Sequence, residues 1–160
     1  MNVVKVNGKQ LIGFNTDAPA FEETLTPLLK SHHHHAFILG TGGASKAVAY
    51  ALRKLGIAYQ FVSRTPNTID CISYAEAYKR AKETYLIINT TPVGMSPQSN
   101  DTPWKHPELL SEKHLCYDLI YNPDPTLFMQ QSATYGAKTK SGLAMLHRQA
   151  ELSWIIFNQK

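Results

Sequence analysis

The sequence has 160 residues, 43% of them hydrophobic and 18% charged, which excludes disordered and fibrous classes and favours one globular domain. The formal net charge of +4 comes from lysines and arginines spread along the chain, which argues against a nucleic-acid-binding surface. No apolar run approaches the roughly 20 residues of a membrane helix, and residues 1–5 do not resemble a signal peptide, so we expect a cytoplasmic protein with no membrane partner.

The first predicted elements are a β-hairpin and a helix. Strand-like residues 3–6 and 10–13 flank Asn7-Gly8, a pair that favours a type I′ turn because Asn and Gly adopt positive φ angles. Asp17 is placed to cap the helix that follows, and Pro19 is tolerated in its first turn.

A run of four histidines, residues 32–35, comes next. Four consecutive side chains on a connecting loop point in different directions and do not converge on an ion, so we expect no metal site. We interpret the run as a solvated loop, with a tag-derived insert as the weaker alternative. Two cysteines, Cys71 and Cys116, lie beside strand-like residues and are predicted to be reduced core thiols.

From residue 36 onward, short apolar runs alternate with amphipathic stretches. Wholly apolar strands are typical of a parallel sheet that is covered on both faces, and strand–helix repetition indicates right-handed crossovers. The sequence therefore predicts an α/β fold with a Rossmann-type, doubly wound parallel sheet. The predicted strands are residues 36–39, 57–62, 85–88 and 115–119, and the predicted helices are residues 44–55, 76–82, 126–135 and 142–157.

The glycine loop that follows the first sheet strand is the most informative segment. Its residues, Gly40, Thr41, Gly42, Gly43 and Ala44, lie between a strand and a helix, which is where a dinucleotide-binding fingerprint has meaning. Gly40 allows a tight turn, and Gly42 leaves room for a pyrophosphate near the backbone amides of the helix start. The pattern departs from G-x-G-x-x-G at the third glycine position, which is a serine. A glycine-rich turn without a ligand is the alternative.

The end of the second sheet strand indicates which cofactor the loop would bind. NAD sites place a carboxylate there for the ribose hydroxyls, whereas this chain has Ser63, Arg64 and Thr65. The forked guanidinium of Arg64 can bind a 2′-phosphate or stack on adenine. The sequence predicts NADP, with a surface arginine as the alternative interpretation.

Five segments, in this order, resemble the shikimate dehydrogenases. They are GFNTD at 13–17, GTGGA at 40–44, INTTPVGM at 88–95, YDLIYNP at 117–123 and GLAMLHRQA at 142–150. The glycine loop alone is shared by many dehydrogenases, but the five together span nearly the whole chain. The resemblance implies reversible reduction of 3-dehydroshikimate to shikimate by NADPH, in chorismate and aromatic amino-acid biosynthesis.

The resemblance also implies roles for individual residues. Asp17 matches the Asp of the family's Asp–Lys proton-transfer pair. Three residues match positions that hydrogen-bond the substrate, namely Asn2, Tyr121 and Gln149. Three more match positions near the nicotinamide, namely Thr91, Leu119 and Gly142.

Two departures from the family pattern affect these expectations. The family's catalytic Lys and its serine-containing substrate motif would lie upstream of Met1, so we expect a piece of a longer enzyme that is inactive alone. Residues 1–18 would then be a remnant of the substrate domain, and residues 19–160 the NADP-binding domain. In addition, Pro66-Asn67-Thr68 supplies no second basic residue after Arg64, which weakens the expected phosphate site.

Two other functions stay open at this point. One is a quinate/shikimate dehydrogenase that uses NAD, and the other is a non-catalytic nucleotide-binding module, since fold alone does not fix function. Polar residues at Asp17, Tyr121 and Gln149 favour an enzyme, because a cofactor sensor needs no substrate-facing groups there. Whether the protein is a monomer or a homodimer is not decided by the sequence.

Overall fold

The structure, a computed structural model, describes residues 1–66 and 68–159. A β-hairpin precedes an alternation of strands and helices. The strands are β1 Val3–Asn7, β2 Gln10–Phe14, β3 His35–Leu39, β4 Ala58–Ser63, β5 Cys71–Ser73, β6 Leu86–Asn89, β7 Leu115–Asp118 and β8 Lys138–Lys140. The helices are α1 Asp17–Leu25, α2 Gly43–Lys54, α3 Tyr74–Lys79, α4 Leu127–Thr134 and α5 Leu143–Asn158.

Strands β3 to β8 form one six-stranded sheet in the order β5-β4-β3-β6-β7-β8, and all neighbouring pairs are parallel. Numbered within this sheet from β3, the order is 3-2-1-4-5-6, which is that of a doubly wound dinucleotide-binding fold. The predicted Rossmann-type α/β fold is confirmed. The order reverses between β3 and β6, and the carboxyl ends of these strands mark the edge where such sheets bind ligands.

Alternate strand residues enter two separate cores, one on each face of the sheet. On one face Ile38 and Ile88 pack with residues of α1, α2 and α5, and on the other Phe37 and Ile87 pack with residues of α3 and α4. Because both faces are covered, the strands are apolar at successive positions. Cys71 and Cys116 are buried thiols, as predicted, and burial raises the pKa of the Cys116 thiol to about 12.

The hairpin turn differs from the predicted type. Asn7 pairs with Gln10, so the two central residues are Gly8 and Lys9 rather than Asn7 and Gly8. Gly8 has φ 60°, and Lys9 has no positive φ. A type I′ turn needs positive φ at both central positions, whereas glycine at the first position alone is the type II′ requirement. The hairpin is confirmed and the type I′ turn is wrong.

The interpretation of the histidine run as a solvated loop holds for His34, which is exposed and outside the strands, but is wrong for His33 and His35. His33 is 5% exposed, and its two ring nitrogens bond the Lys30 amide at 3.0 Å and the Lys113 carbonyl at 3.1 Å. The His32 ring contacts the same carbonyl, and His35 is the first residue of β3. The His32 and His33 side chains connect the segment before β3 to the segment before β7, and burial lowers the pKa of His33.

Two short strands, β5 and β8, were not predicted, and both lie at sheet edges. Each has three residues, and β8 has the sequence Lys-Thr-Lys, which is polar enough to look like a loop. Within the described residues, no helix combines the length and apolar character needed to cross a membrane.

Candidate active site

The glycine loop leaves the carboxyl end of β3 and opens α2, as the sequence predicts. Gly40 has φ +100°, and a Cβ there would lie 2.9 Å from a side-chain carbon of Thr91, so a larger residue would meet both backbone strain and a contact. A Cβ at Gly42 or Gly43 would meet no heavy atom within 4 Å. The surface beside the first amides of α2 is thus open to a ligand, and such amides attract an anion.

Leu119 and Gly142 lie next to each other beyond the carboxyl end of β7. Leu119 follows β7, and its amide donates to the carbonyl of Asn89 at 3.0 Å. A Cβ at Gly142 would lie only 2.0 Å from the carbonyl oxygen of Leu119, so the chain entering α5 can approach β7 this closely only with glycine. The Gly142 amide donates to the Ile120 carbonyl at 3.0 Å, which fixes the approach.

A cavity of about 380 Å³ brings together residues that are far apart in the sequence. All four predicted substrate-facing residues line it, as do three of the predicted cofactor-binding residues. The former are Asn2, Asp17, Tyr121 and Gln149, and the latter are Ala44, Leu119 and Gly142. Met145 and Leu146 on α5 add an apolar wall. A cavity with polar groups at one end and apolar walls elsewhere is typical of a small-molecule site.

Thr16 organises the polar end of this 380 Å³ cavity and was not assigned a role from the sequence. It is 1% exposed, its amide donates to the Asn2 side chain at 2.9 Å, and its hydroxyl lies 3.4 Å from Oε1 of Gln149. The Asn2 amide group donates both to Thr16 Oγ1 and to Asp17 Oδ1, each at 2.9 Å. One buried hydroxyl thus fixes the residues around Asp17.

Asp17 does not cap α1, contrary to the sequence interpretation. It is the first residue of the helix, and the side chain that accepts from the first turn is Asn15, whose Oδ1 lies 3.0 Å from the Ala18 amide. Because Asn15 satisfies this amide, the Asp17 carboxylate is available to the cavity, where it accepts a hydrogen bond from Asn2. A negative charge at this position is also favoured by the helix dipole.

A buried polar network lies behind the cavity and was missed by the sequence analysis. Asp118 accepts from the Asn89 side chain at 2.9 Å, the Ile120 amide at 3.0 Å and the Thr126 hydroxyl at 2.7 Å. Asn89 in turn accepts from the amide and hydroxyl of Thr91, at 2.9 and 2.7 Å. Burial raises the pKa of Asp118 to about 6. Asn89 and Asp118 lie in two of the five segments that resemble the shikimate dehydrogenases. Only the fold shows that their side chains join the ends of β6 and β7.

The predicted cofactor-selecting residues lie near a second cavity, of about 400 Å³, at the carboxyl ends of β4 and β6. Arg64 and Thr91 line it. The amide of Thr65 donates to Ser63 Oγ at 3.2 Å, a bond made within the loop. Asn67, part of the segment without a second basic residue, lies outside the described residues. Arg64 makes no hydrogen bond or ion pair with the described part of the chain and is exposed.

A larger cavity of about 650 Å³ lies between α1 and α2 and includes Glu22, Lys46 and Tyr50. It reaches the glycine loop at Gly43 but contains none of the four predicted substrate-facing residues. In residues 1–66 and 68–159, no group of three or more His, Cys, Asp or Glu side chains is arranged to hold a metal ion.

Comparisons with known proteins agree with this geometry. No protein-family model matches the chain. It is 34% identical, over 171 aligned positions, to the NADP(+) shikimate dehydrogenase of Caldanaerobacter subterraneus, covering 97% of this chain and 60% of that enzyme. It is 37% identical over 160 positions to the enzyme of the same name from Thermus thermophilus, covering 95% of this chain and 59% of that enzyme.

The chain is also similar to a solved structure with a comparable coverage. Shikimate 5-dehydrogenase from Thermus thermophilus, in complex with NADP(H) and shikimate, is 32% identical and superposes with a TM-score of 0.84, covering 97% of this chain and 60% of that chain. This chain therefore spans about 60% of the length of the curated relatives it matches. By sequence and by fold, the chain is homologous to the shikimate dehydrogenases.

Proposed function

We propose that this chain is the cofactor-binding part of an NADP-dependent shikimate dehydrogenase, an enzyme that reduces 3-dehydroshikimate to shikimate reversibly. The observation that carries the proposal is the 380 Å³ cavity, because it gathers Asn2, Asp17, Tyr121 and Gln149 beside Leu119 and Gly142. A module that only senses a nucleotide has no use for four polar side chains at this end of the sheet.

The two cavities at the sheet edge match the two ends of a dinucleotide. Ala44, at the end of the glycine loop, lines the 380 Å³ cavity, and Thr91, which faces Gly40, lines the 400 Å³ cavity. The open surface at Gly42 and Gly43 belongs to the loop segment between Gly40 and Ala44. We therefore assign the pyrophosphate to the glycine loop, the nicotinamide to the first cavity and the adenosine to the second.

The chemistry needs few groups from this chain. NADPH, when bound, supplies the hydride. Asn2, Tyr121 and Gln149 would hold the hydroxyl groups of the ring, since amide and phenol groups donate or accept hydrogen bonds as each hydroxyl requires. Asp17 would accept and return the proton of the reacting hydroxyl, and the polar contacts from Asn2 keep its carboxylate aimed at the cavity. Leu119 and Met145 would exclude water from the reacting carbon.

We also propose that residues 1–18 belong to the substrate-binding part and residues 19–160 to the NADP-binding part. Strands β1 and β2 form a sheet separate from the six-stranded one. Val6 and Leu11 on this hairpin are 68% and 73% exposed, which is unusual for a strand pair packed on its own domain.

Replacing Arg64 with Ala tests the cofactor assignment. We expect NADP+ to bind wild type more tightly than NAD+, and Arg64→Ala to weaken NADP+ alone. Hydrogen bonds to charged groups contribute about 1.5–3 kcal/mol, which corresponds to roughly a tenfold to hundredfold rise in Kd. Calorimetric titration of both cofactors gives the two affinities.

Arg53→Ala is the matched control, because Arg53 lies on α2 and bonds Tyr59 rather than either cavity. It should leave both affinities unchanged. Equal binding of NADP+ and NAD+ by wild type would contradict the NADP assignment and leave the NAD-using quinate/shikimate dehydrogenase as the better reading. Binding of neither cofactor would contradict the enzyme proposal.

A further inference from the structure

The 400 Å³ cavity contains a second cation that the sequence around Arg64 does not supply. Besides Arg64, the cavity is lined by Lys105, and its one lining carboxylate among the described residues is Asp101. Lys105 comes from the long connection between β6 and β7, far along the chain from β4. The fold therefore places two positive side chains around one space where the sequence near Arg64 provides one.

The position of Lys105 is fixed by aromatic packing. Its amide donates to the Tyr78 hydroxyl at 3.2 Å, and the Tyr78 ring packs edge-on against Trp104 at 4.8 Å. Tyr74 contacts Tyr78, with ring centroids 6.0 Å apart. Burial raises the pKa of Tyr74 to about 12, and the nearby Arg64 opposes that rise. Tyr74 and Tyr78 thus form one wall between the two cations.

Lys105 has a counter-ion that a ligand can replace. Its ammonium group forms an ion pair with Asp101 Oδ1, and both side chains are more than half exposed. The Thr102 amide also donates to Asp101 Oδ1 at 2.7 Å, so the carboxylate keeps a partner if the ammonium moves away. An exposed ion pair contributes little to stability, so exchanging the carboxylate for a phosphate costs little.

We propose that Lys105 is the second cation of the 2′-phosphate site and determines, with Arg64, the preference for NADP over NAD. This inference rests on the proposed function, since it requires a nucleotide in the 400 Å³ cavity. A phosphate monoester carries close to two negative charges at neutral pH, which one guanidinium neutralises only in part. Asp101 holds the lysine at the cavity wall in the absence of ligand and releases it to the phosphate.

The test compares ligands that differ only by the 2′-phosphate. Calorimetric titrations with 2′,5′-ADP and 5′-AMP, and with NADP+ and NAD+, are run on wild type and on Lys105→Met, which keeps the apolar stem and removes the charge. We expect Lys105→Met to weaken 2′,5′-ADP and NADP+ by about tenfold, since one charge-assisted bond is lost. The affinities for 5′-AMP and NAD+ should not change.

Two further variants sharpen the comparison. Asp101→Asn should tighten 2′,5′-ADP binding severalfold, because the lysine then has no competing carboxylate. Lys79→Met is the matched control, since Lys79 lies on α3 and pairs with Glu76 at 3.7 Å, and it should change nothing. Melting temperatures show whether each variant is folded.

Each other outcome overturns the inference in a recognisable way. If Lys105→Met weakens all four ligands alike, Lys105 shapes the adenosine site without reading the phosphate. If it changes none while wild type prefers NADP+, the inference fails and the proposed function stands. If wild type binds none of the ligands, the proposed function fails and the inference fails with it.

Discussion

In the enzyme with its substrate-binding region in place, we expect Asp17→Asn to lower kcat by roughly 10²–10⁴-fold, the range for a positioned acid or base. The substitution keeps the shape of the side chain, and the Asn2 amide, now 2.9 Å from Asp17 Oδ1, can still donate to the remaining carbonyl oxygen. The substitution removes the ability to accept a proton, together with the negative charge. The affinity for NADP+ should not change, because the glycine loop and Arg64 are untouched.

Stability should fall slightly in this variant. Asp17 is the first residue of α1, where a negative charge interacts with the helix dipole, and its loss costs about 0.3–1 kcal/mol. Asp70→Asn is the control, because Asp70 is an exposed carboxylate before β5 and lines neither sheet-edge cavity. Steady-state rates and melting temperatures are measured for both variants. An Asp17→Asn enzyme with a wild-type kcat would remove Asp17 from the proton-transfer role.

We expect Gly142→Ala to destabilise the fold by about 3 kcal/mol, the upper end of the usual cost of overpacking. The added Cβ would lie 2.0 Å from the Leu119 carbonyl oxygen and 2.5 Å from its carbon, and both atoms are backbone. Relief would require α5 to move away from β7, which breaks the Gly142–Ile120 hydrogen bond. For a domain of this size, the expected fall in Tm is about 6–12 °C, measured by calorimetry or circular dichroism.

Gly42→Ala should instead cost little stability and weaken NADP+ binding. A Cβ at Gly42 meets no heavy atom within 4 Å, and its φ of −79° suits any residue, so the stability cost is that of a poorer helix cap, about 1 kcal/mol or less. The affinity for NADP+ should nevertheless fall by at least about tenfold, because the methyl group occupies the space assigned to the pyrophosphate. If both variants lose the same stability and Gly42→Ala binds NADP+ normally, the pyrophosphate does not approach this loop.

The central strands were predictable because their residues are apolar at every position, whatever their partners. β6 and β7 are fully buried, and their predicted bounds differ from the observed ones by one residue at most at each end. The edge strands β5 and β8 could not be found in the same way, since an edge strand has one neighbour, is short and is often polar. His33 was misread because its burial depends on Lys113, more than seventy residues away in the sequence.

The candidate site likewise contains residues that local sequence patterns mark and residues that only long-range contacts reveal. Local patterns were enough to single out Gly40 and Arg64, since a turn between strand and helix and a cation after a strand have local meaning. Thr16 and Asp118 act through partners from other segments, such as Gln149 and Thr126, and no local pattern marks them. The sequence analysis assigned Asp17 a capping role, and in the structure Asn15 performs that role.

The most direct test of the proposed cofactor site is a map of the amides that NADP+ perturbs in NMR spectra of the nitrogen-labelled chain. We expect the largest shifts at the glycine loop, at Arg64 and Thr91 beside the 400 Å³ cavity, and at Leu119 and Gly142 beside the 380 Å³ cavity. Shifts confined to the 650 Å³ cavity between α1 and α2, around Lys46 and Tyr50, would contradict the proposed site.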